Sequence, residues 1–403
     1  MPQSIHAVHV GFFSDPRRRE PTQLLEDWPS LVDIAEATAS AGVRVSVLQA
    51  STHTQSVVRN DIRYDFFPFG RQALIQQRDR LSAPSAQSET LAGSLSRLHP
   101  DVLHVHGLDF PRDVSALSEA APGVPILLQD HASRPPRWWR RGRWRRGLAG
   151  VAAVSFCSVE QAQPFVRAGL IRTPMRVYAV PESPSRFTPG DQAEARRATG
   201  LRGDPCVLWV GHLDGNKDPR TVLAGMSEAV RSLPELELWC CFGTAPLLAE
   251  VERRISADER LRQRVHLLGR VAHERIESCM RAADLFVLGS HREGSGYSVI
   301  EALACGLPPV VTDIPSFRSL TGNGSVGALW PCEKPGALAA ALLEMAHRPR
   351  EPERTRTRAH FERELSFAAV GRKLNAAYQD ILLGGATLSA SILARPRASL
   401  GHE

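Results

Sequence analysis

Residues 282–313 read AADLFVLGSHREGSGYSVIEALACGLPPVVTD, and the order of elements in this stretch decides the fold. Leu285–Leu288 is an apolar run of strand length. It runs into a loop with glycines at 289, 294 and 296, a helix is expected from about Ser298 to Cys305, and a second strand at Pro309–Thr312. Strand, small-residue loop, helix and strand make one unit of a parallel sheet, which takes its ligands beyond the carboxyl ends of its strands. Small residues let backbone amides approach a phosphate, and the helix dipole adds positive potential there. Glu293 lies before the helix and Glu301 is expected in its first turn. Both are placed to face a ligand, one on each side of the phosphates, and to accept hydrogen bonds from sugar hydroxyls. Taken alone, the two acids fit better a helix-start carboxylate that offsets the dipole and a solvated loop residue.

The same alternation extends in both directions. Strands are expected at 5–12, 43–48, 101–106, 125–129 and 151–156, with a helix over 29–41 that stops at Gly42. Residues 76–97 are a polar tract rich in Ser and Gln. A linker rich in Pro and Gly, 181–190, precedes a second series of strands at 206–210, 236–242, 265–268, 285–288 and 309–312, with helices over 220–231, 246–255 and 272–281. The reading is an α/β chain of two doubly wound, Rossmann-like parallel-sheet domains facing a central cleft. The first domain covers 1–184 and the second 185–364. A helix over 365–384 is expected to cross back to the first domain, and the tail 385–403 to be disordered.

Composition narrows the function classes. The chain has 403 residues, too many for one ordinary core, with 43% hydrophobic and 23% charged residues. No apolar run approaches the ~18–20 residues that span a bilayer, and the start has no basic segment followed by a cleavage site. These features point to a cytoplasmic protein. Seven cysteines are scattered without a CxxC pair, which speaks for buried thiols against a disulfide framework or a zinc site. The formal charge is +6, yet residues 134–146, RPPRWWRRGRWRR, hold seven arginines and no acid. Without them the chain is close to neutral, so a general nucleic-acid-binding surface is not expected. Arginines interleaved with Trp138, Trp139 and Trp144 suit an anionic membrane surface or a phosphorylated acceptor, and equally a helix face with its tryptophans tucked against the domain.

Residues 322–327, GNGSVG, match the dinucleotide fingerprint GxGxxG. That fingerprint needs a strand before it and a helix after it. Here a short helical stretch precedes and an apolar run follows, so no nicotinamide or flavin is expected.

The loop around 293–301 resembles the donor site of glycosyltransferase family 4, which has an EGFG-like loop and a second glutamate eight positions after the first. Here it reads Glu293-Gly294-Ser295-Gly296, then Glu301-Ala-Leu-Ala-Cys-Gly306. Residues 207–219, VLWVGHLDGNKDP, resemble the family's VGRL…NKDP segment, and residues 264–283 resemble its base-binding strand and following helix. The resemblance covers most of 125–383, is most specific over 205–313 and is weak before residue 100.

The resemblance implies a GT-B fold and a retaining hexosyltransferase that uses a UDP- or GDP-linked sugar as substrate. It needs no cofactor or metal, and a glycan or lipid-linked acceptor completes the reaction. Glu301 would bind the ribose hydroxyls and Glu293 those of the transferred sugar. Lys217 would stabilise charge on the diphosphate, with backbone amides around Gly294, Ser295, Gly296, Tyr297 and Ser298 sharing that task. Gly211, His212 and Val271 complete the implied donor set. His131, at the end of the stretch PILLQDH, would sit near the anomeric carbon and join Lys217 and Glu293 as a catalytic residue. His106, Arg137 and Trp138 would lie on the acceptor side, and 134–146 would touch the inner face of a membrane.

Two departures matter. His212 stands where the family has an arginine, which makes donor affinity pH-sensitive in expectation. The family's glycine-rich loop after the first strand is replaced by Ser14-Asp-Pro-Arg-Arg-Arg-Glu20. Its arginines 17–19 either substitute for it or are solvated. Three alternatives stay open: a GT-B phosphorylase or nucleotide-sugar epimerase, a catalytically silent nucleotide-sugar binder, and a nucleic-acid or membrane adaptor built on the Arg/Trp segment.

Overall fold

A computed structural model describes residues 4–68 and 87–384. Residues 76–86 of the polar tract, and the whole tail 385–403, lie outside the described residues. The chain divides into two units, Met1–Glu182 with Val370–Glu403, and Ser183–Ala369.

The first unit is built on eight strands: β1 (His6–Gly11), β2 (Arg44–Ala50), β3 (Gln55–Arg59), β4 (Ile62–Phe67), β5 (Val102–His106), β6 (Ile126–Gln129), β7 (Val151–Phe156) and β8 (Arg176–Ala179). They lie in the order β3-β4-β2-β1-β5-β6-β7-β8. Each neighbouring pair is parallel except β3–β4. Every residue of β1 and β6 is buried, because helices cover both faces of a parallel sheet. The β3–β4 hairpin departs from the expected all-parallel alternation. Its turn is Asn60-Asp61, both at positive φ (48° and 61°), the backbone that two-residue hairpins demand and that short polar side chains tolerate.

Register decides what meets at the sheet's carboxyl edge. His9 of β1 lies opposite His104 of β5, Gly11 opposite His106, and His106 opposite Gln129 of β6. The helix Phe367–Leu382 contributes to this unit from Val370 onward. Asn375 donates from Nδ2 to the carbonyl of Ala41 at 3.0 Å, and Tyr378 is fully buried beside His9 and His104.

The second unit holds six parallel strands: β9 (Cys206–Val210), β10 (Glu237–Cys241), β11 (Val265–Gly269), β12 (Leu285–Leu288), β13 (Pro309–Thr312) and β14 (Ala328–Trp330), in the order β11-β10-β9-β12-β13-β14. Proline in the first turn starts the helices Pro219–Ala229, Pro315–Leu320 and Pro335–His347, where its missing N–H costs nothing. The sequence 322–327 follows the helix Pro315–Leu320 and precedes β14, the reverse of the dinucleotide-binding order. Among the described residues no disulfide joins the cysteines, six of which are buried, and no helix is long and apolar enough to cross a membrane.

Candidate functional site

In the second unit the loops after β9 and β12 are sewn together at the carboxyl edge of the sheet. Asp214 Oδ1 accepts from the amides of Asn216 and Lys217, each at 3.0 Å, which fixes the turn that presents Lys217. Asp218, in the left-handed region, then caps the next helix by accepting from the Thr221 amide at 3.1 Å. Asn216 donates from Nδ2 to the carbonyl of Arg292 at 2.9 Å and accepts at its own carbonyl from the His291 amide at 2.8 Å. The outcome is an ion pair between Lys217 Nζ and Glu293 Oε1, both largely buried, with side-chain exposures of 16% and 12%.

The loop 289–296 turns into the helix Tyr297–Ala304 at Gly296. Gly296 has φ +75°, and a β-carbon there would lie 2.7 Å from Phe317 Cε1, so both backbone sterics and packing exclude a side chain. The N-cap residue is this glycine, which has no side chain with which to cap the helix. Glu301 is the fifth residue of the helix, in its second turn and not in its first as the sequence suggests, because the helix begins at Tyr297. Its Oε1 bonds His273 Nε2 at 2.8 Å. That contact raises the pKa of His273 above 6.5. Val271 lies two residues before His273 and is half-buried. Ser295 is buried, and Tyr297 is exposed at 41%.

His212 is exposed, and its Nδ1 accepts from the backbone amide of Thr244 at 3.1 Å. That bond selects the tautomer with its proton on Nε2 and leaves Nε2–H as a donor. Gly211 is followed in space by Lys217, whose Cδ would be 3.8 Å from a β-carbon there. Gly211, His212, Lys217, Glu293 and the 294–298 turn thus belong to one edge of one sheet. Both candidate glutamates are engaged by basic side chains.

In the first unit His131 and His106 come together, His131 Nε2 lying 3.3 Å from His106 Nδ1. His131 Nδ1 is 3.3 Å from Glu182 Oε2. Sequence reading missed what lies behind them. His106 Nε2 is 3.3 Å from His9 Nδ1, His9 Nε2 is 3.4 Å from Tyr378 Oη, and Tyr378 Oη is 2.6 Å from His104 Nδ1. The available signal was the spacing His104-Val-His106, which puts both rings on one face of a strand. Burial pushes the pKa of His9, His104 and His106 well below 6.5, and the neighbouring imidazoles add to the shift. Burial likewise pushes the Asp130 carboxyl up to about 6.

His106 and His131 line a cavity of about 300 Å³ whose walls include Phe13, Trp28, Phe110 and Asp109. Arg137 and Trp138 are not in that lining. They lie on an exposed segment, Trp138 at 75% and Trp139 at 54% exposure, while Trp144 is packed into the core at 7%. Of the arginines after β1, Arg19 is held by Asp15 (Nε–Oδ2 2.8 Å) and Asp27, whereas Arg17 and Arg18 are exposed.

Residues 191–360 match the family model described as glycosyl transferases group 1. The chain is 26% identical over 287 residues, 68% of its length and 73% of the other, to the GDP-mannose:cellobiosyl-diphosphopolyprenol alpha-mannosyltransferase of Xanthomonas campestris. It is 26% identical over 277 residues, 64% of its length and 71% of the other, to the alpha-D-kanosaminyltransferase of Streptomyces kanamyceticus. Its fold is similar to that of Anabaena HepE, solved in complex with UDP, with a TM-score of 0.66 at 16% identity over 93% of this chain and 100% of that one. Residues 191–360 therefore form a group 1 glycosyl transferase domain, and the chain, with its two Rossmann-like parallel-sheet units, is a GT-B glycosyltransferase.

Proposed function

We propose that the chain is a retaining hexosyltransferase of the family 4 type that takes its sugar from a UDP- or GDP-linked donor without a divalent metal. The observation that carries this reading is the Lys217–Glu293 pair beside the helix that starts after Gly296. A lysine and helix-terminal amides supply the positive potential that a leaving diphosphate needs, and the carboxylate next to them suits the hydroxyls of the departing sugar. Glu301 takes the ribose hydroxyls from within the helix. His212 Nε2–H offers one further donor to phosphate. The acceptor hydroxyl attacks on the face from which the diphosphate leaves.

On the first unit, the cavity walled by Phe13, Trp28 and Phe110 with His106, His131 and Asp109 at its polar side suits an amphiphilic acceptor. Exposed Trp138 and Trp139 among arginines suit an anionic lipid surface, which favours a lipid-linked acceptor over a free glycan. The acceptor named for the Xanthomonas relative is a diphosphopolyprenol.

The test is a panel of UDP- and GDP-sugars incubated with the purified chain and lipid-diphosphate acceptors, with the product anomer assigned by NMR. Retained configuration, and a rate unchanged when Mg²⁺ and Mn²⁺ are left out, are expected. An inverted product, or a rate restored only by Mg²⁺ or Mn²⁺, contradicts the mechanism. A nucleotide-sugar binder without turnover is the second reading, favoured by Lys217 being already neutralised by Glu293 and by the histidine at 212. It predicts donor-induced thermal stabilisation with no transfer across the whole panel.

A further inference from the structure

The buried imidazoles of the first unit are arranged in a way that glycosyl transfer does not explain. His104 and His106 are two apart on β5 and share one face of the sheet, with their rings stacked at 4.8 Å. His9 on the neighbouring strand β1 is in register with His104, its ring centroid 4.4 Å away. One ring nitrogen of each residue lies within 4.8 Å of those of the other two. His9 Nδ1 and His106 Nε2 are 3.3 Å apart. Two nitrogens bound to one zinc at about 2.0–2.1 Å and the tetrahedral angle stand roughly 3.3–3.4 Å from each other.

The outer nitrogens are also accounted for. His104 Nδ1 and His9 Nε2 both meet Tyr378 Oη, at 2.6 and 3.4 Å, and His106 Nδ1 meets His131 Nε2 at 3.3 Å. Such partners fix the ring tautomer so that the inner lone pair points at an ion. His104 Nε2 is fully buried and makes no hydrogen bond of good geometry, the nearby side chain of Gln129 on the next strand leaving its own buried Oε1 unmatched as well. A buried imidazole nitrogen without a well-aligned hydrogen bond is a costly arrangement for a purely structural core.

We infer that His9, His104 and His106 form a binding site for a transition-metal ion of the zinc class. All-nitrogen ligation selects Zn²⁺, Co²⁺, Ni²⁺ or Cu²⁺ and not Mg²⁺ or Ca²⁺, which prefer oxygen. Half-buried His106 lines the 300 Å³ cavity, which gives an ion its way in. The site is independent of the donor reading, because its ligands lie in the first unit and the diphosphate groups in the second. A loss of transfer in EDTA that zinc alone restores belongs here. One that Mg²⁺ or Mn²⁺ restores belongs to the donor.

The test uses the tag-free full chain, stripped with EDTA, dialysed and titrated with ZnCl₂ or CoCl₂. One equivalent of zinc per chain is expected, with visible ligand-field absorption from cobalt and no uptake of MgCl₂ or CaCl₂. His9→Gln and His106→Gln should each weaken zinc binding by more than about a hundredfold, and Tyr378→Phe by about ten- to a hundredfold. Circular dichroism and retained UDP or GDP binding show that a variant is folded. Absence of stoichiometric uptake, or uptake unchanged in the two folded glutamine variants, overturns the proposal. Should those variants not fold, X-ray absorption of the zinc-loaded parent decides: fewer than three imidazole scatterers overturns it as well.

Discussion

Lys217 and Glu293 form an ion pair that ties the loop after β9 to the loop after β12, with both side chains more than four-fifths buried. The pair keeps a cation at the place proposed for the diphosphate while no ligand is bound. It also helps to orient the Glu293 carboxylate. Lys217→Ala should lower kcat/KM for the donor by about ten- to a hundredfold, the range set by one charge-assisted hydrogen bond of roughly 1.5–3 kcal/mol. Glu293→Ala separates the two roles. Free UDP or GDP should bind no more weakly, since Lys217 is released, while transfer falls by a similar factor. Calorimetry with the nucleotide and initial rates with the sugar donor check both. Equal losses of nucleotide affinity in the two variants would count against the assignment.

His273 and Glu301 give donor binding a pH dependence with a definite sign. The bond to Glu301 is the largest cause that raises His273 above 6.5. The charged clamp on Glu301 is therefore complete below 6.5 and is lost as pH rises through the raised value. Glu301 is freer to accept ribose hydroxyls at the alkaline side, so affinity for the nucleoside diphosphate should increase several-fold between about pH 6 and pH 8. Ionisation of the ligand's phosphate acts equally on parent and variant. The difference between the parent and His273→Asn isolates the clamp, and identical pH profiles for the two would dismiss it.

Gly296→Ala should destabilise the second unit by about 1–3 kcal/mol, because it places a side chain at φ +75° and drives a β-carbon into the Phe317 ring. The midpoint of urea unfolding should fall with little change in slope. A variant with unaltered midpoint and unaltered donor affinity would mean that the turn at Gly296 relaxes freely.

Asp130 is 5% exposed, and its carboxyl titrates at about 6 in place of the ordinary 3.8, chiefly because it is removed from water. A raised carboxyl contributes stability that is fully present below the unfolded value and lost as pH rises through the folded one. The cost of ionising it is thus absent below about pH 4 and complete above about pH 6. Asp130→Asn keeps an acceptor for the Ser133 amide, bonded at 2.9 Å to Oδ1. At pH 8 it should stabilise the protein by up to ~3 kcal/mol, with the gain vanishing at about pH 4. Thermal melts of both forms across that interval measure it. A constant difference would show that Asp130 is not the group responsible.

Much of the architecture was legible in the residue order. Leu285–Leu288, Pro309–Thr312, Cys206–Val210 and Val151–Phe156 are apolar runs bounded by turn residues, and each is a strand with the expected ends. Runs buried on both faces stand out because nothing polar interrupts them. The β3–β4 hairpin was missed because β3 is short with polar ends, β4 is interrupted by Arg63 and Asp65, and the turn is a single polar pair. The loop 289–296 with Glu293, and Glu301 in the helix that follows it, were visible in the local sequence, and so was the wrong order around 322–327.

The chain's residue order by itself determined two parallel-sheet units, a glycine-rich loop opening a helix, and the candidate acids beside it, because strand and helix periods and glycine requirements are local. Only the tertiary structure decided that Glu293 meets Lys217, that Glu301 meets His273, and that His9, His104, His106, His131 and Tyr378 form one cluster. Those contacts join residues from 25 to 369 positions apart. Strand order and register bring them together, and neither property is written in any local run of sequence.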